Sequence, residues 1–170
     1  MVWRWRRRQE CSPRGTTASS ENASPLSPQA ARASLGRRGE QATRDFLLNA
    51  GYRVLCQNWV APHHRGELDL VCQDEAGTLC FVEVKTRRSR SRLAGERPVP
   101  LEAVTPAKEQ RLRRAAADYL RALGHVRVPF RFDVVEVWAD AQGRPCLLRH
   151  WPDLLPGRPS FPQEEETGES

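Results

Sequence analysis

Two stretches of the chain carry apolar residues at helical spacing, and five carry the short apolar runs or alternation of strands. The clearer helix has Thr105 as its N-cap and Pro106 as its first residue. Leu112, Ala115, Ala116, Tyr119, Leu120 and Leu123 then recur on one side, and Gly124 closes the run. The other helix is expected to begin near Ser34, with Leu35, Ala42, Phe46 and Ala50 along one side, and to stop at Gly51. Gly36 and Gly39 fall inside it and cost about 1 kcal/mol each relative to alanine. They call for a reason, such as the close approach of another backbone.

Strands are expected at Tyr52–Asn58, Glu67–Gln73, Thr78–Thr86, about Val128–Trp138 and Pro145–His150. The four residues Asp74-Glu75-Ala76-Gly77 between the second and third suit a hairpin. The order α-β-β-β-α-β-β has no internal repeat and predicts an α/β fold, a mixed β-sheet with a helix at either end of a hairpin.

Charge divides the chain into three parts. Residues 1–32 carry six Arg and two Glu, begin MVWRWRRRQE, and run on without periodicity through Ser, Pro, Ala and Thr. They read as a disordered basic N-terminal arm. The same composition suits an organellar transit peptide, but Pro13, Pro25 and Pro28 would interrupt its amphipathic helix. Residues 33–150 form the folded domain, with twenty basic and fourteen acidic residues. Residues 151–170, with one Arg and five acids, read as a loose acidic C-terminal tail. No apolar run is long enough to span a membrane, and the basic start has no apolar stretch behind it as a secretory signal would. The five cysteines include no C-x-x-C pair, so reduced, mostly buried thiols in a cytoplasmic protein are expected.

Candidate chemistry concentrates in GELDLV (Gly66–Val71) and FVEVKTR (Phe81–Arg87). Alternate residues of a strand share a face, so Glu83 and Lys85 point the same way, as do Glu67 and Asp69. If the two runs pair as a hairpin, Asp69, Glu83 and Lys85 converge at one sheet edge. Two carboxylates there suit a hard divalent cation, and an ammonium beside them can orient water or stabilise charge on a phosphate. An ordinary charged strand face has the same spacing. The chain holds 25 Arg and only two Lys, Lys85 and Lys108. A compact ammonium therefore stands in the E-x-K where a guanidinium is otherwise the rule.

The segments LGRRGEQATRDFLLNAGYRVLCQNW, GELDLV, FVEVKTR, VTPAKEQRLRRAAADYL and RFDVVEV, in that order, resemble the bacterial YraN-like family, uncharacterised protein family 0102. The resemblance covers about Leu35–His150 and implies a restriction-endonuclease-like fold, similar to archaeal Holliday-junction resolvases, with a PD-(D/E)xK-type site. It matches Asp69 to the motif's aspartate, Glu83 to its second acid, Lys85 to its lysine, and Glu40 to the helix-borne acid of resolvase-like members. It thus implies Glu40, Asp69, Glu83 and Lys85 as catalytic residues, the three acids holding Mg²⁺ or Mn²⁺. Gly36 and Gly39 would let the helix approach so that Glu40 reaches the metal. Three departures stand out: the Asn58–Gly66 connection is longer, Gln110 is followed four residues on by Arg114 rather than tyrosine, and Leu68 rather than proline precedes Asp69.

The function so implied is a metal-dependent nuclease that hydrolyses phosphodiester bonds in DNA, branched or flapped. A non-catalytic nucleic-acid-binding module retaining the fold is the alternative. Arg87, Arg88, Arg90, Arg111 and Arg114 would hold phosphates of DNA, or of RNA in the second instance. A homodimer would match the symmetry of a junction substrate. Glu67 reads as a turn charge, His63 and His64 as loop residues, and Asp133 as the partner of a strand or helix arginine. Phosphate-loop, dinucleotide and G-x-S-x-G motifs are absent.

Overall fold

The computed structural model describes residues 27–62, 66–88, 105–124 and 128–155. Its elements are α1 (Pro28–Asn49), β1 (Arg53–Val60), β2 (Glu67–Gln73), β3 (Leu79–Arg88), α2 (Pro106–Ala122), β4 (Phe130–Ala139) and β5 (Pro145–Trp151). The five strands form one sheet in the order β1-β2-β3-β4-β5. Three pairings are antiparallel; β3 and β4 run parallel, and α2 makes the crossover such a pair requires. The order and the mixed sheet are those the sequence and the resemblance implied, and every strand lies within two residues of its expected ends.

Each helix covers one face of the sheet. On one side Leu112, Ala115, Ala116, Tyr119 and Leu120 of α2 pack on Leu68, Val71, Phe81, Phe132 and Val134. On the other, Leu47 of α1 packs with Leu70, Cys72, Cys80, Val82, Val135 and Val137. The α2 termini follow the expected chemistry. Thr105 Oγ1 accepts the N–H of Lys108 at 3.3 Å, Pro106 follows it, and Gly124 takes a φ of +85°.

Helix α1 departs from expectation in two ways. It begins at Pro28, six residues early, because Ser27 caps it by accepting the N–H of Ala30 and proline suits the first helical position. Pro28 therefore starts a helix where it was expected to interrupt one, and residues 28–32 of the presumed arm are helical. Its buried stripe is Gly39, Thr43 and Leu47, one position round from that expected, and Phe46 is exposed. The helix lies so close that small residues face the sheet: a Cβ on Gly39 would stand 1.8 Å from Thr86 Oγ1 of β3. Among the described residues Gly36 has no such neighbour, only Glu40 Oε1 at 3.9 Å.

Asp133, fully buried on the α1 face, takes the place foreseen for it. It accepts from Arg131 Nε at 3.0 Å and the Asp153 N–H at 2.9 Å, and meets His150 Nε2 at 2.9 Å. Arg131 also reaches Asp74 in the β2–β3 turn and the Tyr52 hydroxyl. Beyond β5 the chain does not loosen at once: Leu154 donates to Phe132 O at 3.0 Å, and Leu155 is buried. Cys72 and Cys80 are free and buried, and burial pushes both thiols up to about 12. Cys56 is instead disulfide-bonded, which corrects the expectation of a reduced thiol at that position, while Cys146, like Cys72 and Cys80, is free.

The two α1 glycines give opposite expectations. Gly39→Ala forces the helix off Thr86 and lowers stability by about 1–3 kcal/mol. Gly36→Ala raises it by about 1 kcal/mol, because only the helix-propensity gain applies. Urea denaturation of both variants checks this; a Gly39→Ala protein as stable as wild type contradicts the close packing.

Candidate functional site

The site grows from a local parting of two strands. β2 stays paired with β1 as far as Val60↔Glu67, but its last register pair with β3 is Leu70↔Val82. Asp69 stands just past that point, and its Oδ2 accepts the N–H of Val84 at 2.8 Å. The side chain thus satisfies a β3 backbone donor where the ladder has ended. Burial, then the Glu83 charge, pushes the Asp69 carboxyl up to about 7, although the Val84 hydrogen bond pulls the other way.

Glu83 is only 4% exposed. Its Oε1 receives Lys85 Nζ at 3.1 Å and also the ammonium of Lys108, from the first turn of α2. The two lysines of the chain therefore meet on a single carboxylate oxygen. Burial and then the neighbouring Lys108 hold Lys85 below the usual lysine value, against the pull of Glu83. Burial is the largest influence on Lys108 and would lower it, but hydrogen bonds to Glu83 and Lys85 and the charges of Glu83 and Asp69 together outweigh it and hold that ammonium above its ordinary value.

Glu40 follows the close-packed Gly39 and is partly buried, and its charge also raises Asp69, less than Glu83 does. Among the described residues no group of three or more His, Cys, Asp and Glu is gathered closely enough to hold a metal ion. Asp69 and Glu83 thus form the paired part of the site, with Glu40 more remote. Two carboxylates still fit Mg²⁺, which commonly takes one or two and keeps waters for its remaining positions. Gly39 supplies the close approach foreseen for the α1 glycines; Gly36 does not.

Arg87 and Arg88, at the end of β3, are exposed, as are Arg111 and Arg114 on α2. Arg90, His63 and His64 lie outside the described residues. Glu67 is exposed at the start of β2, away from any ligand role shown by contacts.

Three residues of this region escaped the sequence reading. Lys108 had one signal, its rarity. Gly66 had a signal only in opening GELDLV: a Cβ there would lie 2.9 Å from Arg111 O, so α2 packs its backbone directly on this residue. Glu136, the register partner of Lys85 on β4, is fully buried, and neither carboxylate oxygen has a hydrogen-bond partner among the described residues. Its signal was an acid inside the apolar run RFDVVEV.

The model of uncharacterised protein family UPF0102 matches residues 39–137, more than half of the chain. The chain belongs to that family. The match spans Glu40, Asp69, Glu83, Lys85 and Lys108. A UPF0102 protein of Symbiobacterium thermophilum is 48% identical over 110 residues, covering 65% of this chain and 86% of the relative. One of Chlorobium limicola is 42% identical over 126 residues, covering 72% and 92%. A third, of Chlorobium phaeobacteroides, is 46% identical over 105 residues, covering 62% and 77%. Among the described residues, this UPF0102 chain has no helix long and apolar enough to cross a membrane.

The raised Asp69 carboxyl has a consequence for stability. The folded chain holds that proton more tightly than an ordinary aspartate, whose value is 3.8. Its favourable share is therefore full below about pH 4 and is lost as pH rises to about 7. In EDTA, the stability of wild type relative to Asp69→Asn should fall across that window, measured by urea unfolding. A pH-independent difference contradicts the burial and charge crowding at Asp69.

Proposed function

We propose that this chain is a metal-dependent nuclease that hydrolyses phosphodiester bonds in DNA, with branched or flapped DNA as its preferred substrate. The observation that carries the reading is the meeting of Asp69, Glu83 and Lys85 where β2 parts from β3. Asp69 and Glu83 would hold Mg²⁺ or Mn²⁺, with Glu40 as the further acid. The cation, when bound, polarises the phosphodiester and lowers the pKa of water beside it.

The chain's own residues do the rest. Lys85 is held against Glu83, so its ammonium stands beside the carboxylates, where it can orient the attacking water and offset charge gathering on the phosphate. The N–H of Val84 fixes one oxygen of Asp69, which leaves the other to face a ligand. Arg87, Arg88, Arg111 and Arg114 are exposed on the two elements that supply Lys85 and Lys108. Guanidinium groups there suit the phosphates of a nucleic acid, DNA before RNA. The carboxylate neutralised by two ammoniums also suits a second reading: a nucleic-acid-binding module that keeps the fold without turnover.

The test is cleavage of labelled linear, flapped and four-way-junction DNA with Mg²⁺ or Mn²⁺. Wild type should cut, with flap or junction favoured. Asp69→Asn and Glu83→Gln should each lose on the order of 100-fold or more in rate while still retarding DNA in gels. Binding without cutting on all three substrates replaces the nuclease with the binding module, and unchanged cutting by both variants moves the site elsewhere.

A further inference from the structure

Lys108 contacts a site that the motif alone would assemble without it. Its ammonium comes from α2, a different element from the strands that carry Asp69, Glu83 and Lys85, and bonds the same Glu83 oxygen that Lys85 holds. Lys108 is partly exposed, whereas Glu83 is buried. The lysine stem is flexible and its head can re-hydrate, so Lys108 is the member of the trio free to leave. Its backbone, by contrast, is fixed. Thr105 caps the turn that bears it, and Gly66 lets the helix backbone rest on the start of β2.

A divalent cation that takes Glu83 as a ligand competes with these ammoniums for the same carboxylate. It is also repelled by their two positive charges. Lys85, less exposed and on the same strand as Glu83, has little freedom to move away. Once displaced, Lys108 stands in the first turn of α2, with Arg111 and Arg114 exposed one and two turns further along. Glu109 in the same turn is paired with Arg113, so the helix end is left electropositive and a phosphate is suited to it.

We propose that Lys108 is a placeholder cation: it neutralises Glu83 until a divalent metal arrives, and then transfers its ammonium to a phosphate of the nucleic acid backbone. Metal capture and substrate grip are thereby linked through one side chain. The inference rests on the metal site of the nuclease reading, but it does not require turnover.

Mn²⁺ affinity, followed by electron paramagnetic resonance, tests the first half in wild type, Lys108→Met, Lys108→Gln and Asp69→Asn, with thermal melts to confirm folding. Both Lys108 variants should bind Mn²⁺ several-fold more tightly than wild type, and Asp69→Asn more weakly. The second half is read from the salt dependence of binding to a labelled DNA duplex. With Ca²⁺ as the metal, the slope of log affinity against log salt should be shallower in Lys108→Met than in wild type by about 0.9, one phosphate contact. Without metal the two slopes should coincide. Mn²⁺ affinity unchanged or weakened in both folded variants overturns the placeholder, as does a slope difference that is the same with and without Ca²⁺. Wild type that binds no Mn²⁺ sensitive to Asp69→Asn overturns the metal site and this inference together. Tight, Lys108-sensitive Mn²⁺ binding with no cleavage of any DNA overturns only the nuclease reading.

Discussion

A charged carboxylate taken out of water is costly unless it is paired, and the pairing of Glu83 is the constraint on which this end of the molecule depends. Glu83 is buried because it continues the inward-facing row of β3 after Leu79 and Phe81, on the face that α2 covers. Its partners come from two directions: Lys85 two residues along the strand, and Lys108 from the helix above. Asp69 adds a second negative group beside it, held by a backbone N–H rather than by a cation. Carboxylate charge and ammonium charge are thus packed together in a partly dry site.

Two glycines allow the helices to close on this region from opposite faces. Gly39 brings α1 down on Thr86 of β3, three residues past Glu83, and places Glu40 on the adjoining turn. Gly66 brings the backbone of α2 down on the start of β2, three residues before Asp69, and so fixes the helix that carries Lys108. In each case a missing side chain sets how near a charged one can come. The Arg131–Asp133–His150 cluster, on the α1 face, ties β4 to β5 and to the β2–β3 turn. It anchors the hairpin whose far end parts at Asp69.

Much of this was legible in the chain itself. Helix α2 could be read almost residue by residue, because Thr105, Pro106 and Gly124 mark its ends and its apolar period is unbroken. The hairpin and the shared face of Glu83 and Lys85 followed from strand alternation, and family membership from five ordered segments. The start of α1 was misread because the segment before Ser34 shows no apolar periodicity, although Ser27 and Pro28 stand where a helix cap and first turn accept them. Its buried face was misread because periodicity counts apolar side chains, and this helix presents Gly39 and Thr43 to the sheet. Lys108 and Glu136 carried only faint signals, and what they meet was beyond local reading. Their places beside Glu83 and Lys85 arise from the α2 crossover and the parallel β3–β4 register, contacts between residues far apart in sequence.

The central claim is that the parted end of β2 and β3 forms a cation site from Asp69 and Glu83. Diffraction from crystals soaked in Mn²⁺, recorded near the manganese absorption edge, tests it most directly. The account predicts an anomalous peak at the Asp69 and Glu83 carboxylates, with Lys108 moved off Glu83. Anomalous density only at other places, with both ammoniums still on Glu83, would contradict it.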